Sequence, residues 1–198
     1  MEIFWYGSAC FRLSERGFAT VVTEPGTAAH PKADVFTFSH PTSGRFDAVR
    51  CIEGPGEYEV GGVFITGVRT NGAKRSEGEP KNTVYVFNYN GVTVAHLGDL
   101  RHVPTQAEME ALGEVNVALV PVGGALSAAD AAEVVHLLDP AFVLPMYEHA
   151  AESRSDLAPL TKFLKEMGVN EAEVLPMLKV TRATLPEEMQ VIVLDVQH

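Results

Sequence analysis

Ala33-Asp34-Val35-Phe36-Thr37-Phe38-Ser39-His40-Pro41-Thr42-Ser43-Gly44-Arg45 carries the reading of the fold. Residues 33–39 have the short, β-branched and aromatic texture of a buried strand. The strand runs straight into His40, and a strand end is where a loop of ligand-holding side chains belongs. Around it, the first half of the chain reads as β structure. Residues 2–6, 9–13 and 18–23 are rich in strand formers, and Gly7-Ser8 and Arg16-Gly17 supply turns, so they predict an antiparallel meander. Further strands are expected at 34–39, 48–52 and 63–68, the last two separated by a glycine-rich bend and turn at 53–62. Residues 83–88 and 92–97 flank Asn90-Gly91, whose tolerance of positive φ suits a type I′ hairpin.

Residues 70–81 are polar and rich in structure breakers, which predicts a long exposed loop. Beyond them helices alternate with strands. Helices are expected at 105–112, 128–138 and 156–167, with Ser127 capping the second and Gly168 ending the third. Strands are expected at 115–121, 141–145 and 189–196, the last one buried.

The bulk numbers fit one soluble domain spanning residues 1–198. The composition, 46% apolar and 21% charged, is that of a globular protein and argues against disorder. A formal net charge of -11 would repel a phosphate backbone, so nucleic acid is not an expected partner. No apolar run reaches the roughly 18 residues of a spanning helix, and Met1-Glu2-Ile3-Phe4 follows no leader pattern. The expectation is therefore a cytoplasmic protein with no membrane partner. Cys10 and Cys51 sit in strand-like contexts without a CxxC pair and read as buried free thiols. No GxGxxG, Walker loop or GxSxG elbow is present, which leaves nucleotide cofactors and serine hydrolysis without support.

Four further stretches bear on function: Trp5-Tyr6-Gly7-Ser8-Ala9-Cys10-Phe11, Gly54-Pro55-Gly56-Glu57-Tyr58-Glu59-Val60, His96-Leu97-Gly98-Asp99-Leu100 and Leu144-Pro145-Met146-Tyr147. Pro121-Val122-Gly123-Gly124 supports them. With the loop at His40 they resemble the metallo-β-lactamase superfamily. More narrowly, the chain resembles a small branch of Zn-dependent hydrolases of the β-lactamase fold that is distantly lactonase-like. The resemblance covers essentially the whole chain and implies an α/β fold, an αββα four-layer sandwich.

The same resemblance implies where a dinuclear metal site would lie. The family's loop reads His-x-His-x-Asp-His, and this chain keeps His40 but has Thr42, Gly44 and Arg45 at the other positions. Two readings of His40 stand: a ligand of the first metal, or a histidine kept for hydrogen bonding. Asp99 matches the carboxylate that bridges two metals in the family, where it neutralises both cations; otherwise it is a cleft carboxylate in a salt bridge. The family's remaining histidines fall on Asn71 and Tyr147, which are poor zinc ligands. Ser8 stands where relatives often have histidine, and Glu24 where aspartate is usual.

Arg45 is either an exposed arginine or the cation that compensates Asp99 in place of a metal. Asp47, His102 and His149 lie near family ligand positions, and His40, Asp99 and His149 with one water would resemble a mononuclear zinc or manganese site. His30, His96, His136 and His198 read as loop, strand, helix and tail residues. Arg45, Arg69, Lys74, Arg75 and Arg101 fall in segments that the resemblance places at the cleft rim, where they would either attract a small anionic ligand or simply be solvated.

Together these readings describe a hydrolase homologue with an eroded metal site, non-catalytic or altered, that binds a small anionic ligand or a protein partner. The alternative is an active mononuclear hydrolase of an ester, lactone or phosphoester that uses non-standard ligands. A third possibility is self-association, which requires a large exposed apolar patch.

Overall fold

A computed structural model describes residues 1–26, 31–41, 46, 50–70, 81–147 and 158–197. Strands β1 (Glu2–Trp5), β2 (Phe11–Ser14) and β3 (Val21–Thr23) form the expected antiparallel meander. β4 (Val35–Phe38) and β5 (Arg50–Glu53) extend it in parallel, and β13 (Leu178–Lys179) closes the other edge against β1. The order in this six-stranded sheet is β13-β1-β2-β3-β4-β5.

The second sheet begins with β6 (Gly56–Val60), β7 (Val63–Thr70), β8 (Asn82–Tyr89) and β9 (Val92–His96), all antiparallel. It continues in parallel through β10 (Val117–Pro121), β11 (Phe142–Met146), β14 (Gln190–Leu194) and the edge strand β12 (Glu173–Leu175). Asn90 and Gly91 take φ of 51° and 83°, the mirror-image turn that matches strand twist in a two-residue hairpin. β6, β12 and β13 depart from the sequence reading, which placed a bend and turn at 53–62 and no strand between 167 and 189. The glycines around β6 suggest bends, yet residues 56–60 pair along β7 because an edge strand needs only one hydrogen-bonded neighbour.

Among the described residues three α-helices flank the sheets: α1 (Gln106–Leu112), α2 (Ala128–Leu138) and α3 (Ala158–Glu166). Thr105 and Glu108 form a reciprocal capping box on α1, and the Ser127 hydroxyl accepts the Asp130 N–H at the start of α2. Gly168, with φ of 70°, follows the end of α3. The arrangement is the αββα sandwich. No helix among the described residues is long and apolar enough to cross a membrane.

The alternating pattern of β1 and β2 turns Ile3, Trp5, Phe11 and Leu13 inward, where they join Val63, Ile65, Tyr85, Phe87 and the buried β10 and β11 in one core. Side chains of this size each stabilise the fold by about 1.5–3 kcal/mol when buried, and the two sheets share that benefit only when docked. A smaller cluster of Val22, Phe36 and Phe38 lies apart from this core, with Phe46 packed against it. Neither cysteine is in a disulfide, but the expectation of two buried thiols is not met: Cys10 is half-buried and Cys51 is exposed. In edge strand β5 only Ile52 is buried, so its neighbours face outward.

Candidate functional site

His40 lies two residues past β4, and the second sheet holds that strand end in place. The Ser39 carbonyl accepts the Thr83 N–H at 2.9 Å. The fully buried Tyr85 hydroxyl faces the carbonyls of Phe38 and Gly54 at 3.2 and 3.1 Å. The Ser39 N–H in turn donates to Oε1 of Glu24 in a very short hydrogen bond. A strand of the first sheet thus presents His40 at a position fixed by residues of the second.

Asp99 is placed by the turn that leaves β9. The buried Asn82 side chain accepts the Asp99 N–H at 2.9 Å and donates to Thr70 Oγ1 and the Leu97 carbonyl at 2.9 and 3.0 Å. All the strong donors and acceptors of that amide are engaged except one lone pair. Gly98 between them has φ of 61°, and a Cβ there would collide with Ser39 Cβ at 2.6 Å and with the Asn82 carboxamide. Only glycine combines this conformation with so close an approach.

The Asp99 carboxylate meets Arg101. Its Oδ2 accepts from Nε at 3.0 Å and from Nη2 at 2.5 Å, and the same oxygen lies 3.8 Å from His40 Nε2. Burial pushes the His40 imidazole below its usual pKa; Asp99 opposes that shift and Arg101 adds to it. Glu24 is pushed up, chiefly by burial, with Ser39 working against the rise and Asp99 adding to it. Burial also raises the Tyr147 phenol, helped by Asp195.

These groups line a cleft of about 490 Å³. Ser8, Glu24, Ser39, His40 and Asp99 give it a polar side, while Val122, Met146, Tyr147 and Pro159 give it an apolar one. His40, Asp99 and Tyr147, distant in sequence, line the same cleft, together with Ser8 and Glu24. Arg69 is exposed and His102 half-buried, and neither lines the cleft. Thr42, Gly44, Arg45, Asp47, Asn71, Lys74, Arg75 and His149 lie outside the described residues, as do His30 and His198.

Asn82 was not legible as a site residue, because a polar residue opening an apolar strand signals nothing about a loop seventeen positions away. Arg101 was visible only as a rim cation. Its direct pairing with Asp99 supplies the compensation that the sequence reading offered to Arg45.

The described donors do not fit a zinc ion. A tetrahedral metal bonded at 2.0–2.2 Å would hold nitrogen and oxygen about 3.4 Å apart, so the His40–Asp99 spacing of 3.8 Å is close. The obstacle is elsewhere. Two N–H groups of one guanidinium converge on the very oxygen that faces His40, placing a fixed positive charge beside the atom a metal would need. Among the described residues, moreover, no three His, Cys, Asp or Glu side chains are grouped so as to hold a metal ion, and a stable site needs at least three protein ligands.

A six-stranded and an eight-stranded sheet with flanking helices, carrying a cleft beside the strand ends of β4, β9, β10 and β11, define the metallo-β-lactamase type of fold. The chain belongs to the beta-lactamase superfamily, whose domain profile matches residues 2–147. It is similar to the crystal structure of a proposed Zn-dependent hydrolase of the metallo-β-lactamase superfamily from Thermotoga maritima. That match has 38% identity, covers 99% of each chain and has a TM-score of 0.80. Among curated relatives, a UPF0173 protein of Pyrococcus furiosus is 26% identical, with 84% of this chain and 91% of the relative covered. The diiron β-hydroxylase CmlA of Streptomyces venezuelae shares the fold at 10% identity and a TM-score of 0.66, covering 98% of this chain and 53% of that one.

Proposed function

We propose that this chain is a metallo-β-lactamase-fold hydrolase homologue in which the two-metal centre has eroded and the cleft binds a small ligand. The observation that carries this reading is the two-pronged contact of Arg101 with the Asp99 oxygen that faces His40. A guanidinium there satisfies the carboxylate without a metal and leaves its charge compensated. The substitutions at Thr42, Gly44, Arg45, Asn71 and Tyr147 point the same way, since none offers a thiolate, imidazole or carboxylate.

The ligand class in this proposal is a small anion with an apolar portion. Asp99 is neutralised by Arg101, which reduces the repulsion that a negative group would meet on the polar side of the cleft, and the burial that raises the Glu24 pKa acts in the same sense. Val122, Met146 and Tyr147 supply the surface for the apolar portion. A protein partner is a separate proposal with no such feature behind it.

The mononuclear alternative draws on the 3.8 Å approach of His40 and Asp99, which would need His149 to complete the donor set. Metal analysis separates the two readings. Purified protein is loaded with zinc and manganese, dialysed and assayed for bound metal. The eroded site retains almost none, whereas near one equivalent, lost in Asp99→Asn, would establish the alternative.

A further inference from the structure

We propose that the cleft ligand is an aliphatic carboxylate whose chain occupies a second, apolar pocket behind Tyr147. This rests on the reading of the cleft as a binder of a small anion with an apolar portion, and it identifies that portion as a hydrocarbon chain. The second pocket, of about 330 Å³, lies between α3, the strands β12 and β14 and the end of β1. Leu160 and Leu164, one helical turn apart on α3, line it together with Val174 of β12 and Val193 of β14. Two features join it to the cleft. Tyr147 lines both cavities, so a single side chain separates them there. The Trp5 ring, 4.9 Å from the phenol ring, belongs to the second pocket, while its Nε1 donates to the carbonyl of Ser8, a cleft residue, at 2.8 Å. Charge decides which end of a ligand goes where. Among the described residues that line the second pocket, Asp195 is the one charged group, and it is an acid. It repels a negative head, which is kept on the cleft side, where the Ser8 hydroxyl and the His40 imidazole are hydrogen-bond partners. A hydrocarbon chain asks for no such partner and gains by leaving water, which is what a pocket walled by leucine and valine offers.

The test is isothermal titration calorimetry of the full chain with butanoate, hexanoate, octanoate and decanoate, each below its micelle concentration. The dissociation constant should fall roughly fourfold with each added CH₂ until the chain fills the pocket. The heat-capacity change should grow more negative in step. Two substitutions close the pocket: Ala172→Phe fills it from the loop before β12, and Val174→Glu sets a charge in its mouth. Val174 is 56% exposed, so the fold tolerates its exchange. Octanoate should bind both variants no more tightly than butanoate does. An affinity for wild type that is independent of chain length would overturn the tail site while leaving the small-anion reading of the cleft intact. A chain-length gain that persists in both variants would overturn it too, since the hydrocarbon then lies elsewhere. A series that fails to bind at all would overturn the tail site together with the ligand class proposed for the cleft.

Discussion

His96 donates its Nε2 hydrogen to the carbonyl of Ala9, 2.9 Å away, and so ties the end of β9 in one sheet to the β1–β2 turn of the other. The tautomer follows from its second contact. The Gly98 N–H approaches Nδ1 at 3.2 Å and can only donate, so Nδ1 accepts and the proton resides on Nε2. The ring is fully buried and locked neutral, which gives a histidine outside the proposed chemistry control over the turn that positions Asp99.

A neutral, buried imidazole makes stability depend on pH. Burial lowers the His96 pKa from 6.5 to about 4. Above pH 6.5 neither folded nor unfolded chain is protonated there. Below it the unfolded chain takes up a proton that the fold refuses, so stability falls as pH drops from 6.5 toward 4, by roughly 3 kcal/mol in all. Glu24, with its folded pKa raised, contributes in the opposite sense, because the native state protonates first as pH falls. Urea denaturation of wild type and His96→Gln at several pH values isolates the histidine. The difference between the two proteins should vary through this window and stay constant above it; a difference independent of pH would contradict the assignment.

Asn82 holds the Asp99 turn by donating to Thr70 and Leu97 and accepting from the Asp99 backbone. Asn82→Asp keeps the shape and the acceptor but replaces both donor bonds by a buried carboxylate facing a carbonyl. A loss of about 2–4 kcal/mol is expected at neutral pH. Equilibrium unfolding measures it, and recovery of much of the loss at acid pH, where the new carboxyl protonates, is the accompanying signature.

Gly98 and Gly124 both line the cleft, yet they should respond oppositely to alanine. At Gly98 the added methyl meets φ of 61° and the Ser39 side chain, and a cost of about 2 kcal/mol or more is expected. At Gly124 no heavy atom of the described residues lies within 4 Å of the new methyl, so Gly124→Ala should lie within about 0.5 kcal/mol of wild type. Denaturation midpoints of the two variants compare the positions directly, and equal midpoints would refute the account.

The fold was readable because its strands advertise themselves locally. β4, β8 and β9 are continuous or alternating apolar runs, and Asn90-Gly91 specifies its turn by conformation alone. β6 and β12 were harder. Their residues are mostly exposed, one is flanked by the glycines at 54, 61 and 62 and the other is only three residues long, so periodicity had little to act on. Exposure of Cys51 depends on which neighbour β5 lacks, and that is a property of the sheet rather than of the strand.

At the site, His40, Asp99 and Tyr147 could be picked out through resemblance, whereas their arrangement could not. The Asp99–Arg101 pair spans two positions and depends on the turn bending back at Gly98. Asn82 matters only because β8 happens to lie beside β9. Such roles arise from packing between segments, and no window along the chain contains them.

Trp5 is the sole tryptophan, 1% exposed, with the Tyr147 ring 4.9 Å away on the wall of the cleft. The molecule therefore carries its own optical probe. An indole in so dry a setting emits at short wavelength, and any occupant that shifts the neighbouring phenol alters that glow, so filling of the cavity can be followed by light without attaching a label.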